Sequence, residues 1–412
     1  MMQLVEQHVI TPKSEDWSEI DAAAFASKNL YNLANYHMRQ RFFAEGIVWS
    51  YPDLYAMLKN SPAYQALPRK VSQQVLNGVF FIWKSYFAAH ESFSEDSSKF
   101  LGEPKIPKYK DKLSGRNVLT YTIQAISQPL LRIGQVKLSG LSLIVQTAKK
   151  LIDCVRIVPK KTHYVVEIVY SVAPTIVDLD SSLYAGVDLG VNNLAVISSN
   201  KPGLMPVVVN GRPLKSINQF YNKRTSELVS ALTKQDARRR TSHRIDRLTE
   251  KRNRRIDHYL HTASRRIIDG LVKERIGTLI IGKNDGWKQG IHNGKQNNQN
   301  FVSIPHTRFI DQLTYKAALV SIKVIINEES HTSKCSFLDN EPICHHDSYV
   351  GKRIKRGLFR SAKGLFINAD LNGALNIIRK VAPGAFAFFF QKDGFAKGVE
   401  GVVVRPLPLG IN

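Results

Sequence analysis

The chain has 412 residues, 43% of them hydrophobic and 22% charged, an ordinary globular composition with room for two or three domains, each with its own core. Its formal net charge of +24 and pI near 9.9 are not ordinary, and point to a polyanionic partner, nucleic acid before an anionic membrane surface. No apolar run approaches the roughly 20 residues of a spanning helix. The longest, Ala385–Phe390, is far too short, residues 1–16 carry no signal-peptide pattern, and Cys154, Cys335 and Cys344 make no disulfide framework, so a cytoplasmic protein without membrane contact is expected.

Residues 15–100 read as mainly helical. Phe25, Leu30, Leu33, Ala34 and Met38 recur at helical spacing within Ala22–Phe43, and Val75, Val79, Phe80, Trp83, Tyr86 and Phe87 do so within Val71–Ala89. Pro104–Lys112 is broken by prolines and rich in lysine, so it is neither a helix nor a central strand. It serves either as a solvated connector or as a phosphate-contacting loop through Lys105, Lys108 and Lys110. From Asn117 to Ala173 the period falls to two, with short strands predicted at Val118–Ile123, Gln135–Leu138, Leu143–Gln146, Cys154–Val158 and His163–Tyr170, suggesting a small antiparallel barrel or sandwich.

After Pro174–Asp178 the pattern changes again. Strands are predicted to end at Asp188, to span Asn192–Ser198 and to span Met205–Val209. A basic helical region, Leu214–Arg275, follows with 17 Lys/Arg against 7 Asp/Glu. Ile217, Leu228, Leu232, Ile245, Leu248, Ile256, Leu260 and Ile267 form an apolar stripe beneath that charge. The excess of one sign favours phosphate contact, with Arg238, Arg239, Arg240, Arg252, Arg254 and Arg255 as candidates. A strand at Thr278–Gly282, a polar loop through Asn300, a helix at Pro305–Val320 and a strand at Lys323–Ile326 come next. Three consecutive strands and then alternating strands and helices fit a ribonuclease-H-like α/β layout.

Three acidic positions stand at element ends. Asp188 closes the first strand of this region, Glu328 and Glu329 follow its last, and Asp370 lies at the start of an apolar helix carrying Ala374, Leu375, Ile377 and Ile378. In isolation Asp370 reads as an N-cap or first-turn carboxylate. Three hard oxygen donors meeting at one sheet edge would instead hold two Mg²⁺ or Mn²⁺ ions about 4 Å apart for phosphodiester hydrolysis.

The stretches Lys28–Asn32, Gly186–Ala195, Ile281–Asn284 with Trp287-Lys288, Glu329–Lys334 and Asn368–Ala374 resemble the TnpB (OrfB) family of insertion-sequence proteins, related to type V CRISPR effectors and to Fanzor proteins. The resemblance implies a transposon-encoded, RNA-guided DNA endonuclease that takes a guide RNA from its own element and double-stranded target DNA. It implies a multidomain α+β chain: residues 1–14 beginning a wedge-like β-barrel, a helical recognition lobe at 15–103, the rest of the barrel at 104–180, a RuvC/ribonuclease-H-like nuclease domain at 181–383 and a tail at 384–412. A prokaryotic, nucleoid-associated location goes with it. Asp188 is expected to bridge both ions, with Glu329 on one and Asp370 on the other. Trp287, Lys288, Arg353 and Arg356 join the nucleic-acid candidates.

The sequence departs from the commoner family pattern twice. The strand position that usually carries the middle glutamate is Gly282, and Glu329 ahead of Thr332-Ser333 matches the substitute glutamate of a Fanzor-like subset, with Glu328 as the near rival. The loop at 333–366 usually has two CxxC pairs; here it offers only Cys335, Cys344, His345 and His346 at the wrong spacing, so a loop without zinc is expected. Two other readings remain at this level: an inactive RNA-guided DNA-binding regulator with Gly282 marking a dead site, and, more weakly, a transposase that joins DNA ends.

Overall fold

The computed structural model describes residues 1–284, 294, 299, 301–387, 389–390 and 406–411. The chain divides into two compact units, Met1–Val172 and Ala173–Asn412. Among the described residues no helix is long and apolar enough to cross a membrane.

The first unit begins with strand β1 (Met2–Ile10) and continues through helices α1 (Trp17–Glu45), α2 (Tyr51–Leu58), α3 (Pro62–Gln65) and α4 (Arg69–Glu95). The two predicted amphipathic runs lie inside α1 and α4. Their apolar positions, Leu30, Met38, Val75, Val79 and Trp83, are fully or nearly fully buried. They share one core with the sheet residues Val155, Ile157, Val166 and Ile168. Trp83 donates its indole N–H to Asn35 Oδ1 at 2.9 Å, which meets the need of a buried tryptophan for a polar partner. Not every aromatic is core: Phe43 and Phe81 are exposed.

Residues 104–112 form no regular element but are not a loose connector. One face of α1 holds their backbone. Tyr31 hydroxyl donates to Lys108 O at 3.2 Å, Asn32 exchanges two bonds with Lys110 at 3.0 and 2.9 Å, Asn35 donates to Pro107 O at 3.2 Å, and Arg39 donates to the same carbonyl at 2.9 Å. Lys28, almost fully buried, donates to Lys112 O at 2.7 Å. These side chains recur every three to four residues along the helix, so one ladder serves an extended strap whose prolines leave carbonyls without intrasegment partners.

Strands β2 (Leu119–Thr122), β3 (Gln135–Lys137) and β4 (Ile144–Gln146) follow, with α5 (Gln128–Arg132) between β2 and β3. Strands β5 (Cys154–Pro159) and β6 (Tyr164–Val172) complete the unit. The expected barrel does not form. The sheet order is β1-β6-β5-β2, with β1 and β2 as free edges, and β3 and β4 pair apart from it as a hairpin. Closure needs an edge-to-edge ladder. Here β2 is a four-residue strand paired on one side only, and helices cover the sheet face in its place.

In the second unit β7 (Asp180–Leu189), β8 (Asn193–Ser199) and β9 (Val207–Asn210) make an antiparallel meander. Helices α6 (Arg212–Gln235) and α7 (His243–Lys273) lead to β10 (Ile276–Gly282), α8 (His306–Leu319) and β11 (Lys323–Asn327). A small sheet of β12 (Lys352–Lys355), β13 (Leu358–Arg360) and β14 (Phe366–Asn368) precedes α9 (Ala369–Val381), and β15 (Leu407–Pro408) adds to the edge beside β9. The main sheet runs β11-β10-β7-β8-β9-β15, with β7, β10 and β11 mutually parallel. It is the mixed sheet that the strand pattern predicts.

Side-chain alternation gives this sheet two dry faces. Val187, Leu189, Leu279 and Ile281 pack with Leu260, Ile267, Phe309 and Leu313. Val196 and Ile280 pack with Leu371, Ala374, Ile377 and Ile378 of α9. Gly186 lies under that helix, where a Cβ would stand 2.4 Å from Ala374 O, so α9 sits at backbone distance from the centre of the sheet.

Candidate functional site

Asp188 is two residues beyond Gly186 on β7, and therefore on the α9 face at the strand's carboxyl end. In the parallel ladder Ile281 pairs with Val187, so Gly282 takes the register position beside Asp188. Asn368 caps α9, its side chain accepting the N–H groups of Asp370 and Leu371 at 3.0 Å each. The cap is thus the asparagine, and Asp370 is left in the first turn. Gly373, one turn on from Asp370, sits against Asp188: a Cβ there would stand 2.9 Å from Asp188 Oδ2. The absence of a side chain at 373 lets the helix start close over the strand end.

Asp370 is held on both sides. Asn193 Nδ2 donates to its Oδ2 at 2.7 Å, and Arg353 Nη2 pairs with its Oδ1 at 3.2 Å. Neither role is visible in the sequence. Asn193 falls within the Gly186–Ala195 stretch, which is its only signal, and its partner is 177 residues away.

Glu328 and Glu329 have opposite surroundings. Glu328 is exposed and pairs with Lys380 at 3.3 Å, while Ser330 Oγ donates to it at 2.7 Å. Glu329 is half-buried and turned onto the sheet, its Oε2 2.5 Å from the place of a Cβ on Gly282. Its backbone is fastened as well. Glu329 N donates to Asn284 Oδ1 at 3.0 Å, and Thr332 Oγ1 donates to Glu329 O at 2.8 Å. Asn284 and Thr332 therefore shape the turn that carries the glutamate.

Burial raises the Asp188 carboxyl well above the ordinary range, and the charges of Asp370 and Glu329 add to the rise while Arg353 opposes it. Burial likewise raises Glu329, with Glu328 adding and Lys380 opposing. Three acidic groups from segments far apart in sequence thus act on one rim of the sheet. Among the described residues no three His, Cys, Asp or Glu side chains are gathered closely enough to hold an ion unaided. The donor set is nonetheless hard, anionic and partly dehydrated, and a cation would relieve the repulsion that Asp188 meets there.

The nucleic-acid candidates fall into groups. Lys105 and Lys108 are exposed on the strap, and Lys110 is half-buried with its ammonium 4.9 Å from the Tyr31 ring. Arg238, Arg239 and Arg240 are exposed between α6 and α7, as are Arg254 and Arg255 on α7. Arg252 is engaged inside the fold, with Nε on Asn218 at 2.8 Å and Nη2 on Ser303 O at 3.0 Å. Arg356 is exposed, whereas Arg353 is committed to Asp370. Trp287 and Lys288 lie outside the described residues. In the 333–366 loop Cys335 is buried with its Sγ 3.7 Å from Cys344 O, while Cys344 is exposed with its Sγ 3.4 Å from His346 Nε2; His345 packs edge-on against His331.

Residues 167–288 match the OrfB_IS605 family model, described as a probable transposase, and residues 306–377 match the Cas12f1-like TNB domain. The TnpB-like protein ORF457 of Acidianus two-tailed virus is 25% identical over 394 residues, covering 86% of this chain and 81% of that protein. The Cas12f1 chain in a cryo-EM complex with sgRNA and target DNA superposes with a TM-score of 0.54 at 16% identity, over 88% of this chain and 83% of that one, which shows a shared fold. Both family matches fall on the segments that carry Asp188 and Asp370, and a TnpB-like relative matches over most of both chains, so the chain is similar to proteins of the TnpB (OrfB) family.

Proposed function

We propose that this chain is an RNA-guided DNA endonuclease of an insertion element, with a RuvC-type site formed by Asp188, Glu329 and Asp370. The observation that carries the reading is the seat of Glu329: its carboxylate lies over Gly282, in register with Asp188, where a side chain on β10 would otherwise project. A glutamate brought there from a loop replaces one that the strand lacks. The fold shared with the Cas12f1 chain of an sgRNA–target DNA complex and the excess of exposed arginines support the same reading.

Divalent cations, Mg²⁺ or Mn²⁺, would be held by Asp188, Glu329 and Asp370, and would supply an activated water and neutralisation of the leaving oxygen. The protein's own part is positional. Asn193 orients Asp370, Arg353 balances its charge in the free chain, and Gly373 keeps the helix start from displacing Asp188. Sequence choice would rest with a guide RNA, and the exposed cationic residues would grip phosphates without reading bases. The test is cleavage of guide-matched DNA by the purified protein–RNA complex in Mg²⁺. Asp188→Ala should abolish cleavage and leave guide binding intact; cleavage by that variant would remove the site assignment.

A further inference from the structure

The carboxylate at 329 has a specific structural cost. A glutamate at the end of a β-strand is fixed by the sheet, but one on a loop is only as well placed as the loop. Besides the bonds of Asn284 and Thr332 to the glutamate's own backbone, a set of bonds to this loop comes from α9, the helix that also carries Asp370. Asn372 accepts from Phe337 N at 2.9 Å and donates to Cys335 O at 2.8 Å. Asn376 donates to Thr332 O at 2.9 Å and to Cys335 O at 2.8 Å. Lys380 places its ammonium among four acceptors on the residues flanking Glu329: Glu328 O at 2.8 Å, Glu328 Oε2 at 3.3 Å, Ser330 Oγ at 2.9 Å and Ser330 O at 3.3 Å. Residues 372, 376 and 380 are spaced four apart, so they form one stripe along the helix.

An ordinary account of Lys380 is that a cation in the last turn complements the helix dipole. That account leaves its ammonium free to sit in water. Instead it reaches a segment 50 residues away and clamps both neighbours of one glutamate. From this geometry we infer that Lys380 is a positioning residue for Glu329, and that α9 acts as a jig, setting its own Asp370 and the loop glutamate in a fixed relation. The inference rests on the nuclease reading above and extends it to a residue that touches neither metal nor substrate.

The test uses the full chain with its guide RNA. Lys380→Met keeps the aliphatic stem and removes the four polar bonds. Outer residues that orient metal ligands are worth about 10-fold to 100-fold in metal affinity or activity, and a loss in that range is expected here. It should be seen both in the Mn²⁺ concentration that half-saturates cleavage and in the melting-temperature rise that Mn²⁺ gives the free protein. Lys380→Arg should recover part of the loss. Ser330→Ala, which removes one acceptor and leaves the helix untouched, should show a smaller loss of the same kind even if Lys380→Met proves unstable. In a Gly282→Glu/Glu329→Ala chain the glutamate is again borne by the strand, and adding Lys380→Met should then change little. Unaltered Mn²⁺ response and cleavage in both Lys380→Met and Ser330→Ala would overturn the inference. If the parent does not cut guide-matched DNA, the nuclease reading has failed; if it cuts and Asp188→Asn and Glu329→Gln bind Mn²⁺ and cut like it, the site assignment has failed; if those two are dead while the Lys380 and Ser330 variants are not, only the jig has failed.

Discussion

Glu329 holds Oε2 2.5 Å from the point that a Cβ on Gly282 would occupy. The two positions are therefore alternatives: a side chain at 282 and a seated carboxylate at 329 exclude one another. Gly282→Ala should push Glu329 off its seat, because the other close atom, Ile377 Cδ1 at 2.6 Å, is a side-chain end that can turn away. A loss of about 10-fold to 100-fold in single-turnover cleavage is expected, as for other misplaced ligand supports. Guide-RNA affinity should stay constant. A fully active Gly282→Ala protein would mean that Glu329 does not work from this position.

Gly373 gives a second separation of activity from stability. It lies inside α9, where alanine would gain about 0.5–1 kcal/mol of helix propensity over glycine. Its Cβ would stand 2.9 Å from Asp188 Oδ2 and 3.3 Å from Asp188 Cγ, a short side chain on a buried strand that has little room to yield. Gly373→Ala should therefore melt within a few degrees of the parent and cleave at least about 10-fold more slowly. Parallel melting and cleavage assays decide it; equal rates would show that Asp188 does not need its present place.

The raised Asp188 carboxyl makes a prediction about pH. Its folded value lies above the unfolded aspartate value of about 3.9, so the folded chain holds this proton more tightly. In chelator, its contribution turns unfavourable as pH rises from about 4 through the elevated value. Asp188→Asn removes that penalty. The variant should be the more stable protein at pH 7, with the gap closing as the pH falls toward 4, and each kcal/mol should appear as roughly 2–4 °C in melting temperature. Mn²⁺ should reverse the order, since only the parent offers the charge. A gap independent of pH would contradict the assigned cause.

The elements near the site are largely legible in the sequence because their signals are local. The strand ends read from period and composition at 188, 282 and 326 lie within one residue of the observed ends at 189, 282 and 327, and the apolar run after Asp370 is legible in the same way. Long-range partners leave no such trace. Nothing near Asn193 says that it reaches Asp370, and nothing near Lys380 says that it closes on Glu328 and Ser330. Strand β1, expected at residues 1–14 from the resemblance alone, is hidden from periodicity for a different reason: Glu6 and His8 occupy its half-buried positions, paired with one another at 2.8 Å, while Val5 and Val9 face out, which breaks the apolar alternation. A run of short strands suggests a barrel, but strand number does not encode closure; only the missing β1–β2 ladder decides it. Pro104–Lys112 is readable as irregular, but its fastening to α1 is not, since the acceptors are backbone carbonyls common to every sequence.

Charge at the surface of the second unit should govern nucleic-acid affinity through salt. Arg238, Arg239 and Arg240 are exposed, and Arg252 is held by Asn218 and Ser303. Replacing the first three by alanine should flatten the plot of log affinity against log salt by up to about 3, near 0.9 for each duplex phosphate no longer neutralised. Arg252→Ala should leave that slope unchanged and lower the melting temperature, because the buried Asn218 Oδ1 loses its donor, while Ser303 O keeps Asn218 Nδ2 at 3.3 Å. Binding measured across 50–200 mM salt separates the two; a slope change from Arg252 alone would reverse their roles.

Asn35 links the strap to the core of the first unit. It is fully buried, accepts from Trp83 Nε1 at 2.9 Å and donates to Pro107 O at 3.2 Å. Pro107 O keeps a second donor in Arg39, but the indole N–H relies on Asn35 Oδ1. Asn35→Ala should therefore cost about 1–3 kcal/mol, the usual penalty for a buried donor left without its partner. It should also loosen the strap, so that trypsin cuts after Lys105, Lys108 or Lys110 sooner than in the parent. Tyr109→Ala is the contrast: Tyr109 is exposed, its ring 4.9 Å from the Arg39 guanidinium, and its removal should change stability by no more than about 0.5 kcal/mol. If trypsin treats Asn35→Ala and the parent alike, α1 does not hold residues 104–112 in the way the hydrogen bonds describe.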